Sequence, residues 1–64
     1  MKYPNIDAER ARKNLSLEDF AKELGVSRKT VYNWMRSGNI PQGALLKMAD
    51  FFDKPIDYLL GRSA

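Results

Sequence analysis

Arg28, Lys29, Asn33 and Arg36, with Tyr32 among them, concentrate more hydrogen-bonding chemistry than any other stretch of the chain. Guanidinium and ammonium groups donate only, and both carry positive charge. An arginine can give two parallel hydrogen bonds to a planar pair of acceptors, as in a phosphate or the O6/N7 edge of guanine. A carboxamide such as that of Asn33 joins a donor to an acceptor and matches the N6/N7 edge of adenine. These side chains meet on one face only if the segment is helical. With Arg28 as origin, Tyr32 falls near ~40°, Arg36 near ~80°, Lys29 near ~100° and Asn33 near ~140°. Val31, Trp34 and Met35 fall near ~300°, ~240° and ~340°. The two sets do not interleave. The polar arc is about 140° wide, broad enough to fill a groove while the opposite face packs into a core. Such a helix suits a polyanionic partner, and in a small chain the first candidate is DNA.

Two caps and a short turn position this helix. Ser27 is placed to cap its start, and Val26 before the cap can pack on Val31 four residues after it. The same grammar occurs upstream. Ser16 caps a helix beginning at Leu17, Asp19 three residues on gives a shortened capping box, and Leu15 can pack on Phe20. Leu17, Phe20, Ala21 and Leu24 complete the i, i+3, i+4, i+7 template. Gly25 falls where that helix must stop. The joint Gly25-Val26-Ser27 is so short that the two helices must cross steeply, with the second held out from the body.

The remaining segments read as support. A helix is expected from Asn5 to Lys13, capped by Asn5 after Pro4, with a weak apolar face of Ile6, Ala8 and Ala11. Gly, Asn and Pro make 37–41 a loop. A further helix is expected over 42–52 with Leu45, Met48, Ala49 and Phe52 inward, its first turn weakened by Gly43. A last short helix is expected to take Pro55 at its first position, turn Ile56, Leu59 and Leu60 inward, and end at Gly61. Trp34 is expected to anchor the core. No strand alternation and no repeat is present. The expected architecture is all-α: a compact five-helix bundle forming one domain over 1–64.

Composition narrows the chemistry. Sixty-four residues support only a marginal core, and no disulfide can reinforce it. Without Cys or His, structural zinc and thiol chemistry are excluded, and the lack of Cys agrees with a reducing cytoplasm. No apolar run approaches about 20 residues, so no membrane span is expected, and MKYPNIDAER has no apolar region of a signal peptide. There is no Gly-rich phosphate loop and no metal-ligand cluster, so no enzyme activity, catalytic residue, metal, cofactor or small-molecule ligand is expected. Asp53 and Asp57 read as flanks of the last helix, where acids favour an N-terminus. The terminal Arg62-Ser63-Ala64 reads as a stump as easily as an end.

The net charge of +3 is modest, but its distribution is uneven. Between Leu24 and Ala49 the bases Arg28, Lys29, Arg36 and Lys47 meet no acid. From Met1 to Glu23 acids and bases cancel, and from Asp50 to Leu60 three Asp face one Lys. A solvated helix face is the plain reading of a charge run. Its coincidence with the two-helix motif favours an interface.

The spacing Ala21, Gly25, Val31, Trp34 within 17–36 resembles the helix-turn-helix of the lambda-repressor and Cro-type regulators, the XRE family. The tail Ile56-Asp57-Tyr58-Leu59-Leu60-Gly61-Arg62-Ser63 resembles the last helix of many small phage and bacterial regulators. The resemblance runs from about Asn5 to Ser63. It implies sequence-specific binding of double-stranded DNA by a phage or bacterial transcriptional repressor acting by promoter occupancy. The protein would be cytoplasmic, in a bacterium or in the host of a phage. It would bind as a homodimer on a palindromic operator, half-sites about 10 base pairs apart. Base readout is implied for Arg28 and Lys29, though each could instead hold phosphate. Asn33 would join them on adenine, and Tyr32 on a thymine methyl or a phosphate, unless Tyr32 is an aromatic at the core's edge. Arg36, Ser27, Ser16, Leu17, Asn39 and Arg10 are the phosphate candidates, the serines and Leu17 through backbone N–H groups. Two positions depart from the family. Leu17 stands where many relatives carry Gln, and Met35 where relatives often carry a Glu paired with an Arg matching Arg10. Arg10 is thereby left for phosphate, for Glu9 or for another acid. The dimer contact would use the loop after Arg36 and the last helix. Phe51, Tyr58 and Leu60 would then be either exposed apolar surface or core. The rival reading is a protein-binding module, an antitoxin or adaptor, using Tyr32 and the neighbours of Trp34.

Overall fold

The computed structural model describes residues 3–61. Five helices follow in order: α1 (Pro4–Arg12), α2 (Leu17–Leu24), α3 (Arg28–Ser37), α4 (Gln42–Phe52) and α5 (Ile56–Leu59), with no strand among the described residues. Every helix contributes to one core. Ile6 comes from α1, Phe20, Ala21 and Leu24 from α2, Val31 and Met35 from α3, Met48 and Phe52 from α4, and Leu59 from α5. Phe20 and Phe52 stack at 5.4 Å between ring centroids, and Phe51 closes the cluster 5.2 Å from Phe52.

Local sequence accounts for most helix ends. The Asp19 N–H donates to Ser16 Oγ and the Thr30 N–H to Ser27 Oγ, each at 3.1 Å, so both serines cap as expected. At the end of α2, Val26 N–H reaches Ala21 O (3.0 Å) and Gly25 N–H reaches Lys22 O (3.1 Å), with Gly25 left-handed at φ +75°. This pair of bonds satisfies two orphan carbonyls and turns the chain sharply into α3. The same pairing ends α1 at Asn14 and α4 at Asp53, two non-glycine residues at φ +57° and +55°.

Four expectations are corrected. Tyr3, not Asn5, occupies the cap of α1, and Pro4 takes the first helical position. Pro lacks the N–H that would be orphaned there, so it displaces a competing Asn cap. Asn5 lies inside the helix and donates to Tyr58 O at 2.7 Å. Pro55 caps α5 and Ile56 begins it. Trp34 is only half-buried, whereas Met35 is 2% exposed. The core lies between Val31 and Met35 on the helical wheel, near ~320°, which leaves Trp34 about 80° off-axis. Phe51, Tyr58 and Leu60 are neither fully exposed nor core but half-buried, while Leu46, unremarked in the sequence, stands 54% exposed.

Candidate nucleic-acid interface

The outer arc of α3 runs from Arg28, beside Met35 on the wheel, round to Asn33 opposite the core, and carries Arg28, Lys29, Asn33 and Arg36, all exposed, and Tyr32 at 49% exposure. Tyr32 therefore belongs to the outer face and not to the edge of the core. The ten residues of α3 make a rod about 15 Å long and, with side chains, about 10–12 Å across, a diameter that fits the ~12 Å width of a DNA major groove.

Electrostatics distinguish the two helix starts. The first turn of α3 contains no acid and opens on Arg28 and Lys29. Cations at a helix N-terminus oppose the macrodipole, each at a cost of about 0.3–1 kcal/mol. Two such residues side by side weaken the helix and strengthen the field in front of it, the pattern of a functional site rather than of a stability device. The first turn of α2 instead carries Glu18 and Asp19. Those acids stabilise α2 and repel a phosphate approaching its N-terminus.

Local bonds fix the start of α3. Ser27 Oγ accepts from Thr30 N–H and shares a 2.8 Å hydrogen bond with Thr30 Oγ1. The Ser27 hydroxyl is thus tied into the first turn of the helix, and its backbone N–H faces the same end. At the far end, Gly38 caps α3 in the left-handed region (φ +85°), and its N–H donates to Trp34 O at 2.9 Å. Only a residue without Cβ adopts that conformation at no steric cost. Asn39 follows with an exposed side chain, while its N–H donates to Ser37 Oγ at 3.2 Å.

The other phosphate candidates are placed differently. Arg10 donates through Nε (3.1 Å) and Nη2 (2.8 Å) to Asp7 Oδ1, and through Nη1 to Leu15 O. Its acid partner is Asp7, and Glu9 pairs instead with Arg12 and with Tyr58 Oη, which donates at 2.9 Å. Arg10 therefore closes the end of α1, and of the two acid partners left open for it, Glu9 or another, it takes another, Asp7. Met35 is buried and offers no carboxylate, and Arg10 pairs within its own helix, with the acid three residues before it. Leu17 is half-buried against the core, and the Ser16 hydroxyl holds the Asp19 N–H. The backbone N–H groups and the Ser16 O–H, whose oxygen accepts but whose proton the cap does not use, are the donors at that end. Lys47, from α4, was absent from the expected site. Its Nζ lies 3.4 Å from Leu24 O, which holds this cation beside the turn.

An open groove of about 500 Å³ is lined by Ile40, Gln42, Leu45, Ile56, Asp57 and Leu60. It joins the loop after α3 to α5. Among the described residues no set of three or more His, Cys, Asp or Glu could hold a metal, and no helix is long and apolar enough to cross a membrane.

An exposed basic helix, joined to a second helix by a glycine turn and backed by a single core, defines a helix-turn-helix nucleic-acid-binding fold. A family model described as helix-turn-helix matches residues 6–59, nearly the whole chain. The protein belongs to that family, the XRE-type, lambda-repressor-like helix-turn-helix group. Its members are DNA-binding regulators and typically not enzymes. No curated protein and no solved structure gives a match.

Proposed function

We propose that this chain is a sequence-specific, double-stranded-DNA-binding regulator of phage or bacterial origin, a single domain working in the cytoplasm and repressing by occupying promoter DNA. The observation that carries this reading is the composition of α3: a continuous donor-rich arc faces solvent while Val31 and Met35 on the reverse are buried. Arg28 and Lys29 read base edges at the start of the helix, and Asn33 and Tyr32 extend readout one turn further. Arg36, Asn39 and the Ser27 N–H hold phosphates. Ser16 and Leu17 offer backbone N–H groups to a phosphate only against the opposing charge of Glu18 and Asp19.

Size supports a dimer. A 15 Å helix spans about four base pairs at ~3.4 Å each, too few to specify an operator. The molecule measures 30 Å along its longest axis, close to one ~34 Å turn of DNA, so one copy suits one half-site of a palindrome. The groove between Ile40, Leu45, Ile56 and Leu60 supplies the apolar surface at which a second copy would pack.

The test is duplex binding as a function of salt. Neutralising two or three phosphates per copy gives log K against log salt a slope of roughly −2 to −3 per copy. The exposure of Tyr32 and Leu46 favours one other reading, a protein-binding module. A contact centred on such apolar residues would depend weakly on salt, and a flat salt profile with no duplex binding would reject the DNA reading.

A further inference from the structure

The far end of α3 is held by a residue outside the helix-turn-helix. The Tyr3 hydroxyl donates to the Gly38 carbonyl at 2.7 Å, across 35 residues of sequence. Gly38 is the C-cap of α3, and carbonyls at a helix end have no partner within the helix. Tyr3 itself stands at the cap of α1, and the first turn of α1 is moored to α5 by Asn5 Nδ2 on the backbone carbonyl of Tyr58, a bond that does not involve the Tyr58 hydroxyl. The recognition helix is thus pinned twice: at its start by the Ser27 cap, and at its end by a phenol anchored through α1 to α5.

We infer that Tyr3 is a positioning residue for DNA recognition, setting the tilt of α3 and hence the discrimination between sites. This rests on the reading of α3 as the base-reading helix. A tilt of about 4° about its start moves the far end of a 15 Å helix by about 1 Å. Hydrogen bonds to base edges depend on distance and angle at that scale. Phosphate contacts through long, flexible cations tolerate such a shift far better, so general affinity is retained when discrimination falls.

The experiment compares Tyr3→Phe with Tyr58→Phe. Both remove a phenol hydroxyl bonded to or from α1, but only the first touches α3. Affinity is measured for a selected duplex and a single-mismatch duplex, over a range of salt, after thermal unfolding confirms that each variant is folded. Tyr3→Phe is expected to reduce the matched-to-mismatched ratio about 3- to 10-fold, the worth of one hydrogen bond, with the salt slope unchanged. Amide exchange at Gly38 and Asn39 is expected to quicken while α2 keeps its protection. Tyr58→Phe is expected to keep the wild-type ratio. Equal loss in both variants would make Tyr3 an ordinary stabilising residue and overturn the inference. So would an unchanged ratio in Tyr3→Phe when the wild type discriminates. A wild type with no site preference fails differently, removing the base-reading role of α3 and this inference with it.

Discussion

Arg28→Ala and Arg36→Ala should fail in different ways. Both side chains are exposed, so neither truncation opens a cavity. Arg36 lies in the last turn of α3 and Arg28 at its first residue. Removing Arg36 loses a favourable interaction with the helix dipole, and removing Arg28 relieves an unfavourable one, each by about 0.3–1 kcal/mol. Stability should therefore fall slightly in Arg36→Ala and rise slightly in Arg28→Ala. Binding should not follow stability. One phosphate contact contributes about 0.9 to the salt slope, which amounts to roughly 5-fold in affinity at about 0.15 M salt and roughly 15-fold at about 0.05 M. Arg36→Ala should lose that much on every duplex and flatten the slope by about 0.9. Arg28→Ala should lose ~1–3 kcal/mol on the matched duplex, about 5- to 150-fold, with a much smaller loss where its base pair is already changed. The assay is fluorescence anisotropy with a matched, a single-mismatch and an unrelated duplex at both salt concentrations, alongside thermal unfolding. Identical behaviour of the two variants on matched and mismatched duplexes would refute the division of roles along α3. Loss of binding that simply tracks loss of stability would refute the argument that the cations at the start of α3 serve recognition.

Three further outcomes follow from burial, backbone and charge. Met35→Ala should cost ~2–5 kcal/mol in thermal unfolding, and the larger but half-buried Trp34→Ala should cost less; the reverse order would contradict the placement of the core axis. Asp53→Gly, at φ +55°, should stabilise the fold by up to about 1 kcal/mol through relief of left-handed strain, raising Tm by several degrees. Glu18→Gln should tighten binding to all duplexes alike in the anisotropy assay, most at low salt, because it removes a carboxylate from the start of α2.

Features governed by nearest neighbours were legible in the sequence. Ser16, Gly25 and Ser27 act through bonds to residues no more than a turn or so away, so type and spacing announced them. The polar arc of α3 was equally legible, because helical geometry alone sets Lys29 and Asn33 about 160° from Val31. What the sequence did not yield was set by tertiary partners. Helical phase marked Trp34 and Met35 alike as inward, and only the placement of α2 and α4 decides which one the core encloses. The Asn5 side chain could cap its own helix or reach Tyr58, and with Pro4 ahead of it the second arrangement holds. Glu9, buried at 6% exposure, gave no sign of its burial because its partner Tyr58 lies 49 residues away. Lys47 joined the turn through the packing of α4 beside α2, which no local pattern encodes.

The central claim is that α3 reads DNA sequence, and the most direct measurement is selection from a random duplex pool at moderate salt. Enrichment of a two-fold symmetric site, half-sites about 10 base pairs apart, is the expected result and would define the operator and the dimer together. A folded protein that enriches no sequence would contradict the claim.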